Sequence, residues 1–210
     1  MTLHIGDTAP DFTVDTQNGP ISFHAWAGDS WVFLFSHPAD FTPVCTTEMG
    51  RTAQLADEFA KRNVKPLGLS TDTADEHRKW IADVNETQST NVTFPIIADA
   101  DLAIARAYDM IHPEQSETAT VRSVFIIDPA KKIRLMMTYP MSVGRNFDEI
   151  LRVVDALQLG DARHIATPAD WRKGEEVIIP PSIDNEEAKR LFPQGWTEHR
   201  PYLRTTTLVD

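Results

Sequence analysis

A single cysteine, Cys45, is the residue of this 210-residue sequence best suited to chemistry. It lies in the run from Ser36 to Glu48, directly after the apolar run from Trp31 to Ser36. This order predicts a strand that leads into a helix, with the thiol in the first helical turn. Backbone N–H groups and the positive end of the helix dipole favour the thiolate there, and the thiolate is the reactive form of cysteine. The sequence therefore predicts a redox-active thiol.

Threonine and proline residues around Cys45 add to this prediction. Thr42 lies one turn before Cys45, so its hydroxyl can hydrogen-bond a thiolate sulfur or an incoming oxygen. Pro38 and Pro43 stiffen the loop and limit its contact with solvent. A free cysteine is more often an inert core residue than a nucleophile. The prolines and polar groups argue against that here, so we expect Cys45 to lie outside an apolar core.

Arg122 is the second chemical signal. Alternation along its strand places it on the same face as Val124 and Ile126, where an unpaired guanidinium would be expensive. Arg122 therefore needs an anion, and the thiolate of Cys45 is one, since the pairing favours the ionised sulfur. Spacing alone gives equal weight to a carboxylate or to solvent at the strand end. Both interpretations stay open.

The elements that must position these residues follow an α/β pattern. Thr42 and Pro43 resemble an N-cap followed by proline at the first helical position, which puts Cys45 in turn one. In open α/β sheets, ligands bind beyond the carboxyl ends of strands, which is where this turn lies. Five strand-like runs alternate with segments of helical spacing: Trp31–Ser36, Val64–Leu69, Pro95–Ala98, Val121–Ile127 and Ile133–Tyr139.

The chain is expected to form one domain, residues 1–160, followed by an extension, residues 161–210. The last helix of the domain is predicted to start at Asn146 and to end at Gly160. So few apolar residues follow that the extension is not expected to form a core of its own. It should pack on its own domain or on a second subunit. Two short elements are predicted within it, the apolar run 177–179 and the helical stretch 184–192.

Composition excludes several classes of function. Lys and Arg number 20 against 31 Asp and Glu, a net charge of −11, and no basic block is present that could bind nucleic acid. We expect a cytoplasmic protein without membrane insertion, because neither a secretion signal nor a long apolar stretch occurs. The seven histidines lack ligand spacing and glycine-rich phosphate loops are missing, so no metal and no cofactor is expected. A lone cysteine also excludes an internal disulfide.

The run P-A-D-F-T-P-V-C-T-T-E closely resembles the active-site signature of the peroxiredoxins, P-x-x-x-T-x-x-C with a distant arginine. Pro38, Thr42, Cys45 and Arg122 match that pattern. The resemblance covers nearly the whole chain. Further matches are typical of the 1-Cys subfamily: His37, the segment 144–152, and the tail from residue 168 through residue 193.

The resemblance implies a thioredoxin-like fold, a central mixed sheet flanked by helices, with a C-terminal extension. It implies reduction of hydrogen peroxide or an organic hydroperoxide by Cys45, which becomes a sulfenic acid. Thr42 would orient the peroxide, Arg122 would hold the thiolate and the developing negative charge, and Pro38 would shield the sulfenic acid. Secondary residues around the site would be His37, Val44, Glu48 and Arg145.

A second substrate and a second subunit are also implied. With no other cysteine, an external thiol or another small reductant must return the sulfenic acid to the thiol. Glutathione, thioredoxin-type proteins and ascorbate are the candidates from the family. A homodimer whose extension covers the partner's site is expected, and a higher ring is the other possibility.

Two other functions compete with a peroxidase. In a redox sensor, oxidation of Cys45 would signal to a partner without efficient turnover. A weaker alternative is a lipid acyl hydrolase that uses Ser30 and His24, since some 1-Cys peroxiredoxins are credited with such an activity. Here Val32 replaces the last glycine of the hydrolase motif, and Ala130 stands where the acid is needed, with Asp128 two residues away.

Overall fold

The computed structural model describes residues 2–208 and contains two compact units, Met1–Phe147 and Asp148–Asp210. The boundary expected after residue 160 falls inside a helix of the second unit. In the first unit the elements are β1 (Thr13–Val14), β2 (Ile21–Ser22), α1 (Phe23–Ala27), β3 (Trp31–Ser36), α2 (Pro43–Gln54), α3 (Ala56–Lys61), β4 (Val64–Ser70), α4 (Ala74–Thr87), β5 (Ile96–Ala98), α5 (Ala103–Ala107), β6 (Arg122–Ile127) and β7 (Ile133–Tyr139). The second unit contains α6 (Phe147–Arg163), which begins at the boundary, β8 (Val177–Ile179), α7 (Asn185–Leu191), β9 (Thr197–Arg200) and β10 (Leu203–Thr206).

A five-stranded mixed sheet in the order β5-β4-β3-β6-β7 is the frame of the first unit. The strands β3, β4 and β5 are parallel, whereas β6 pairs antiparallel with β3 and β7 antiparallel with β6. All five strand predictions are confirmed, with ends that shift by one residue at most. The expected central mixed sheet is therefore present.

The central strand β3 is buried on both faces, which explains its uninterrupted apolar sequence. Val32 and Leu34 face one core cluster, and alternation turns Phe33 and Phe35 to the other side. The rings of Phe33 and Phe35 stack at 4.6 Å, and Phe59 of α3 stacks on Phe33 at 5.4 Å. Burial of each such side chain stabilises the fold by about 1.5–3 kcal/mol. The carboxyl end of β3, where the thiol loop starts, is thus held firmly.

Helix α4 packs one polar and two apolar side chains inward. It starts with a capping box, in which Glu76 N–H donates to Thr73 Oγ1 and Thr73 N–H donates to Glu76 Oε2 at 2.8 Å. His77, Trp80 and Val84 follow at helical spacing and are buried. A buried histidine on an otherwise apolar face needs polar partners, which are Asp40 of the thiol loop and the carbonyl oxygen of Ile97 in β5.

The expected end of the last helix at Gly160 is wrong. Helix α6 runs through this residue to Arg163. A methyl group on Gly160 would lie 3.3 Å from the carbonyl oxygen of Ile165, so the glycine allows the returning chain to approach the helix closely. Glycine inside a helix costs only about 1 kcal/mol relative to alanine, which the packing of α6 outweighs.

The C-terminal segment also differs from the expectation, because it has a buried cluster of its own. The sheet order there is β8-β10-β9. Asp184 is the N-cap of α7 and accepts a hydrogen bond from Glu187 N–H at 2.8 Å. Apolar residues of α6 join the cluster. The sequence predicts that residues up to 160 belong to the first domain, so a contribution of α6 to this core was not expected. The buried members are Ile165, Trp171, Val177, Ile179, Ile183, Ala188 and Phe192, with Ala156, Leu159, Leu191, Trp196 and Leu208 packed against them. None of the helices within residues 2–208 combines the length and apolar character needed to span a bilayer.

Candidate active site

Cys45 lies in the first turn of α2, as predicted, with Thr42 at the N-cap and Pro43 at the first helical position. The expectation that it avoids burial is wrong, because its side chain is 0% exposed. Its surroundings nevertheless differ from those of an inert core thiol. Charged side chains from β6, α2 and the segment before α6 converge on the sulfur. Cys45 is therefore buried in a polar pocket.

Arg122 bridges the two anions between which the sequence could not decide. Its Nη1 donates to Cys45 Sγ at 3.3 Å and to Glu48 Oε2 at 2.7 Å. The Nε and Nη2 groups both donate to the carbonyl oxygen of Met141, at 2.9 and 2.7 Å. These bonds fix the plane of the guanidinium group, since four contacts leave it little freedom. One edge of Arg122 is thus aimed at the sulfur.

Glu48 is held by a second buried arginine. Arg145 donates to Glu48 Oε1 from its backbone N–H at 2.8 Å and from Nε at 2.9 Å, and its Nη2 donates to Oε2 at 2.6 Å. Its Nη1 donates to the carbonyl oxygens of Ser36 and Ser123. Burial opposes ionisation of Glu48, but the two guanidinium groups outweigh it and hold the pKa of this carboxyl below its ordinary value. Burial lowers the pKa of Arg145.

Buried charges lie around the sulfur of Cys45. Two guanidinium groups, those of Arg122 and Arg145, share one carboxylate, that of Glu48. These three side chains carry one surplus positive charge, which is expensive in a buried site. A negative charge on or next to the sulfur would offset it.

Thr42 hydrogen-bonds differently from the expectation. Its hydroxyl donates to the carbonyl oxygen of Ala39 at 2.8 Å and makes no side-chain cap bond. Within residues 2–208 no hydrogen bond joins this hydroxyl to the sulfur of Cys45. Because its proton is occupied, the oxygen of Thr42 has lone pairs for a donor such as a peroxide O–H group.

The remaining predicted residues belong to the segment that leads from β3 into the first turn of α2. Pro38 is buried, and Val44 is half-buried next to Gly144, where an added methyl group would lie 3.6 Å from Val44 Cγ1. His37 is fully buried. Its backbone N–H donates to the carbonyl oxygen of Leu69, and its backbone carbonyl oxygen accepts from Thr120 Oγ1 at 2.8 Å. Burial lowers the pKa of its imidazole, although Asp40 opposes this shift.

Asp40 and His77 are polar residues that sequence reasoning missed. The carboxylate of Asp40 lies 2.8 Å from His37 Nε2 and 2.6 Å from His77 Nδ1. The only signal in the sequence was the spacing of His77, three residues before Trp80, which places both on one face of a helix. Potential metal-ligand atoms of His37, Asp40 and Asp72 lie within 4.8 Å of one another. Hydrogen bonds account for that proximity, because Asp72 Oδ2 accepts from Asp40 N–H at 2.9 Å.

Ser30 and His24, the residues of the hydrolase alternative, have other partners. The hydroxyl of Ser30 donates to Asn63 Oδ1 at 2.8 Å. His24 Nε2 lies 2.8 Å from the carbonyl oxygen of Ala9. No hydrogen bond joins Ser30 to His24 in the part of the chain that the structure describes. The arrangement lacks the nucleophile–base contact on which such a hydrolase depends.

Acid should destabilise the protein through Glu48 and Asp40. Burial opposes ionisation of Asp40, but hydrogen bonds from His37 and His77 outweigh it and lower its pKa. Both carboxyl pKa values are lower in the folded state, so their stabilising contribution is present above the unfolded-state values of about 4 and is lost as the pH falls below them. We expect the urea midpoint to fall steeply below about pH 4. An equal fall in about 0.5 M salt is expected, because buried pairs are poorly screened; an acid sensitivity removed by salt would contradict this assignment.

The comparisons with known proteins agree with this site. The AhpC/TSA family model matches residues 5–136, and that of the C-terminal domain of 1-Cys peroxiredoxin matches residues 156–195. A 1-Cys peroxiredoxin of Dictyostelium discoideum is 50% identical over 204 residues, which cover 97% of this chain and 85% of that protein. Peroxiredoxin-6 of Mus musculus is 50% identical over 217 residues, 97% of each chain.

A solved structure extends the likeness to the fold. The structure of a yeast mitochondrial 1-Cys peroxiredoxin matches with a TM-score of 0.94 at 51% identity, over 99% of this chain and 100% of that one. The predicted thioredoxin-like fold is thereby confirmed. The single cysteine of the sequence lies in the polar pocket and touches Arg122. The chain therefore belongs to the peroxiredoxin family, in its 1-Cys subfamily, and is a thiol-dependent peroxidase that reacts through Cys45.

Proposed function

We propose that the thiolate of Cys45 attacks the terminal oxygen of hydrogen peroxide or an organic hydroperoxide. The S–O bond forms as the O–O bond breaks, and the leaving oxygen takes a proton to become water or an alcohol. Cys45 is then a sulfenic acid. The observation that carries this proposal is the 3.3 Å hydrogen bond from Arg122 Nη1 to Cys45 Sγ inside a buried cluster with surplus positive charge.

Each neighbour has a distinct part in this step. Arg122 holds the thiolate and the charge that develops on the peroxide oxygens. The oxygen of Thr42 accepts a hydrogen bond from the peroxide O–H group, since its own proton is bound by Ala39. Buried Pro38 limits water around the sulfenic acid. Glu48 orients Arg122 by its 2.7 Å contact.

Three further residues support the pocket. Arg145 fixes both oxygens of Glu48 and links them to the end of β3 through the carbonyl oxygen of Ser36 at 2.8 Å. His37 borders the pocket directly before Pro38, and Val44 borders it on the side of the thiol turn.

Replacement of Arg122 by lysine tests these roles. Lysine keeps the charge but cannot hold the sulfur, Glu48 and Met141 at once, because it lacks the planar fork. We expect kcat/KM for hydrogen peroxide to fall about 10²–10³-fold, the range for a lost oxyanion donor. Arg134→Lys on β7 is the matched control, since Arg134 pairs with Asp128. Equal activity of the two variants would contradict the role of Arg122.

We propose that an external thiol regenerates Cys45. The sequence has one cysteine, so resolution must come from another molecule. The yeast mitochondrial relative is described as resolving its thiol via glutathione/thioredoxin systems. Steady-state peroxide consumption with glutathione, thioredoxin or ascorbate would identify the reductant. A single stoichiometric oxidation with every reductant would favour the redox sensor instead.

A homodimer is the proposed assembly. Within the described sheet β7 pairs with β6 alone. The backbone of Ile133 also bonds Gly6 and Asp7, so residues 134–139 form the edge that a second copy can extend. The C-terminal segment is proposed as the arm that covers the partner's site. Light scattering should give twice the chain mass of 23.6 kDa. A larger mass would indicate a ring, and the mass of one chain would contradict the proposal.

A cytoplasmic location also remains our proposal. Its basis is the single free cysteine, since proteins of reducing compartments seldom contain disulfides. One relative of this chain is named a mitochondrial peroxiredoxin of yeast. Fractionation of the source cells with organelle markers separates the two locations, and recovery with mitochondria would overturn the proposal.

A further inference from the structure

The side chains of Asp40, His77 and His37 form a buried array beside the thiol turn. Asp40 Oδ1 lies 2.8 Å from His37 Nε2, and Asp40 Oδ2 lies 2.6 Å from His77 Nδ1. The side chains are at most 1% exposed. Each carboxylate oxygen is thus occupied by one imidazole, away from solvent.

The partners of His77 determine where its protons are. Besides Asp40, its ring contacts the carbonyl oxygen of Ile97, which lies 3.1 Å from Nε2. Carboxylate and carbonyl oxygens only accept hydrogen bonds, so each ring nitrogen of His77 faces an acceptor, and Nδ1 donates to Asp40 at the shorter of the two distances.

His37 differs from His77, because only one of its ring nitrogens has a partner. Its Nε2 faces the carboxylate of Asp40 and must donate. Its Nδ1 is buried and has no hydrogen-bond partner within residues 2–208. Burial lowers the pKa of His37, so this nitrogen carries a lone pair. Buried polar atoms are rarely left unpaired, and such an exception needs a physical reason.

The array packs against the turn that carries the thiol. Trp80 links the two, because its ring lies 5.1 Å from that of His37 and its Nε1 donates to Thr46 Oγ1 at 3.1 Å. Thr46 directly follows Cys45. The backbone N–H of Asp40 is tied as well, by Asp72 Oδ2. The unpaired nitrogen therefore belongs to the residue that connects β3 to the active-site loop.

We propose that Asp40 and His77 are positioning residues for the peroxidase reaction, which they serve by holding His37 in its Nε2–H tautomer. Nδ1 is then kept as a hydrogen-bond acceptor for a peroxide or for the water produced. The inference rests on the proposed place of His37 at the pocket. A carboxylate that fixes an imidazole tautomer has a large effect in serine proteases, where the amide variant holds the wrong tautomer.

Asp40→Asn is the decisive variant. Its amide has one acceptor, which the Nδ1–H group of His77 takes, so its NH₂ group faces His37 Nε2. His37 must then accept at Nε2 and carry its proton on Nδ1, which removes the free lone pair. Two-bond ¹H–¹⁵N NMR should show the proton on Nε2 in the wild type and on Nδ1 in the variant. We expect kcat/KM for hydrogen peroxide to fall at least about tenfold.

Further variants separate positioning from stability. His77→Asn keeps an N–H donor toward Asp40 and should retain more activity than His77→Leu. Thr87→Val removes a hydroxyl that donates to the carbonyl oxygen of Asp83 at the other end of α4, and its kcat/KM should match the wild type.

The NMR spectrum of the wild type tests the inference even if a variant does not fold. A proton on Nδ1 of wild-type His37 would overturn the assignment. A folded Asp40→Asn protein with the moved proton and activity within twofold of wild type would overturn the role. Absence of turnover by the wild type would instead overturn the proposed function, and this role with it.

Discussion

Replacing Cys45 with serine is expected to abolish peroxide reduction and leave the fold intact. The hydroxyl is slightly smaller than the thiol, but it is not ionised at neutral pH and is a far weaker nucleophile. No second cysteine can substitute for it. We expect the rate of hydrogen peroxide consumption to fall at least about 10³-fold, to the level of the reductant alone.

The measurement needs a fold check and a neighbouring control. Thr47→Ser lies in the same turn, where the hydroxyl of Thr47 donates to the carbonyl oxygen of Val44. It should keep wild-type activity. Cys45→Ser should remain folded by circular dichroism, and Thr47→Ser should unfold at a midpoint close to that of the wild type. Retained turnover by Cys45→Ser would contradict the assignment of Cys45 as the peroxidatic residue.

Local sequence signals were enough to place the thiol. The Thr42–Pro43 pair marks a helix start through backbone chemistry that depends on neighbouring residues only, and the structure has that start. Strand β3 was equally clear, since a strand buried on both faces is apolar throughout. Arg122 was expected to need an anion because of alternation in β6. These inferences hold because each depends only on residues within one helix or strand.

Contacts between distant segments could not be predicted in the same way. Cys45 is buried because Arg122 and the segment that ends at Arg145 close over it, and no local pattern shows that approach. The pairing of Asp40 with His77 joins residues 37 positions apart. Gly160 resembled a helix end, but only the chain returning near Ile165 explains it. Long-range packing decided these features against local propensity.

Glu48→Gln should destabilise the protein more than any comparable surface change. Arg122 Nη1 and Arg145 Nη2 both donate to Glu48 Oε2, at 2.7 and 2.6 Å. An amide NH₂ at that position would face two donors, and neither guanidinium is more than 3% exposed. Breaking a buried ion pair leaves uncompensated charge and costs about 3–5 kcal/mol. We expect a loss of that size in the free energy of unfolding, measured by urea denaturation.

Glu58→Gln is the matched control for that prediction. Glu58 also bridges two cations, with Lys61 Nζ at 2.6 Å and Arg62 Nη1 at 2.8 Å, and these contacts lower its pKa to about 2. Its carboxylate is exposed, however, so water replaces the lost contacts and salt screens them. The two variants remove the same charge from similar partners and differ in burial. Equal destabilisation by both would show that the buried position of Glu48 contributes nothing to the stability of the pocket.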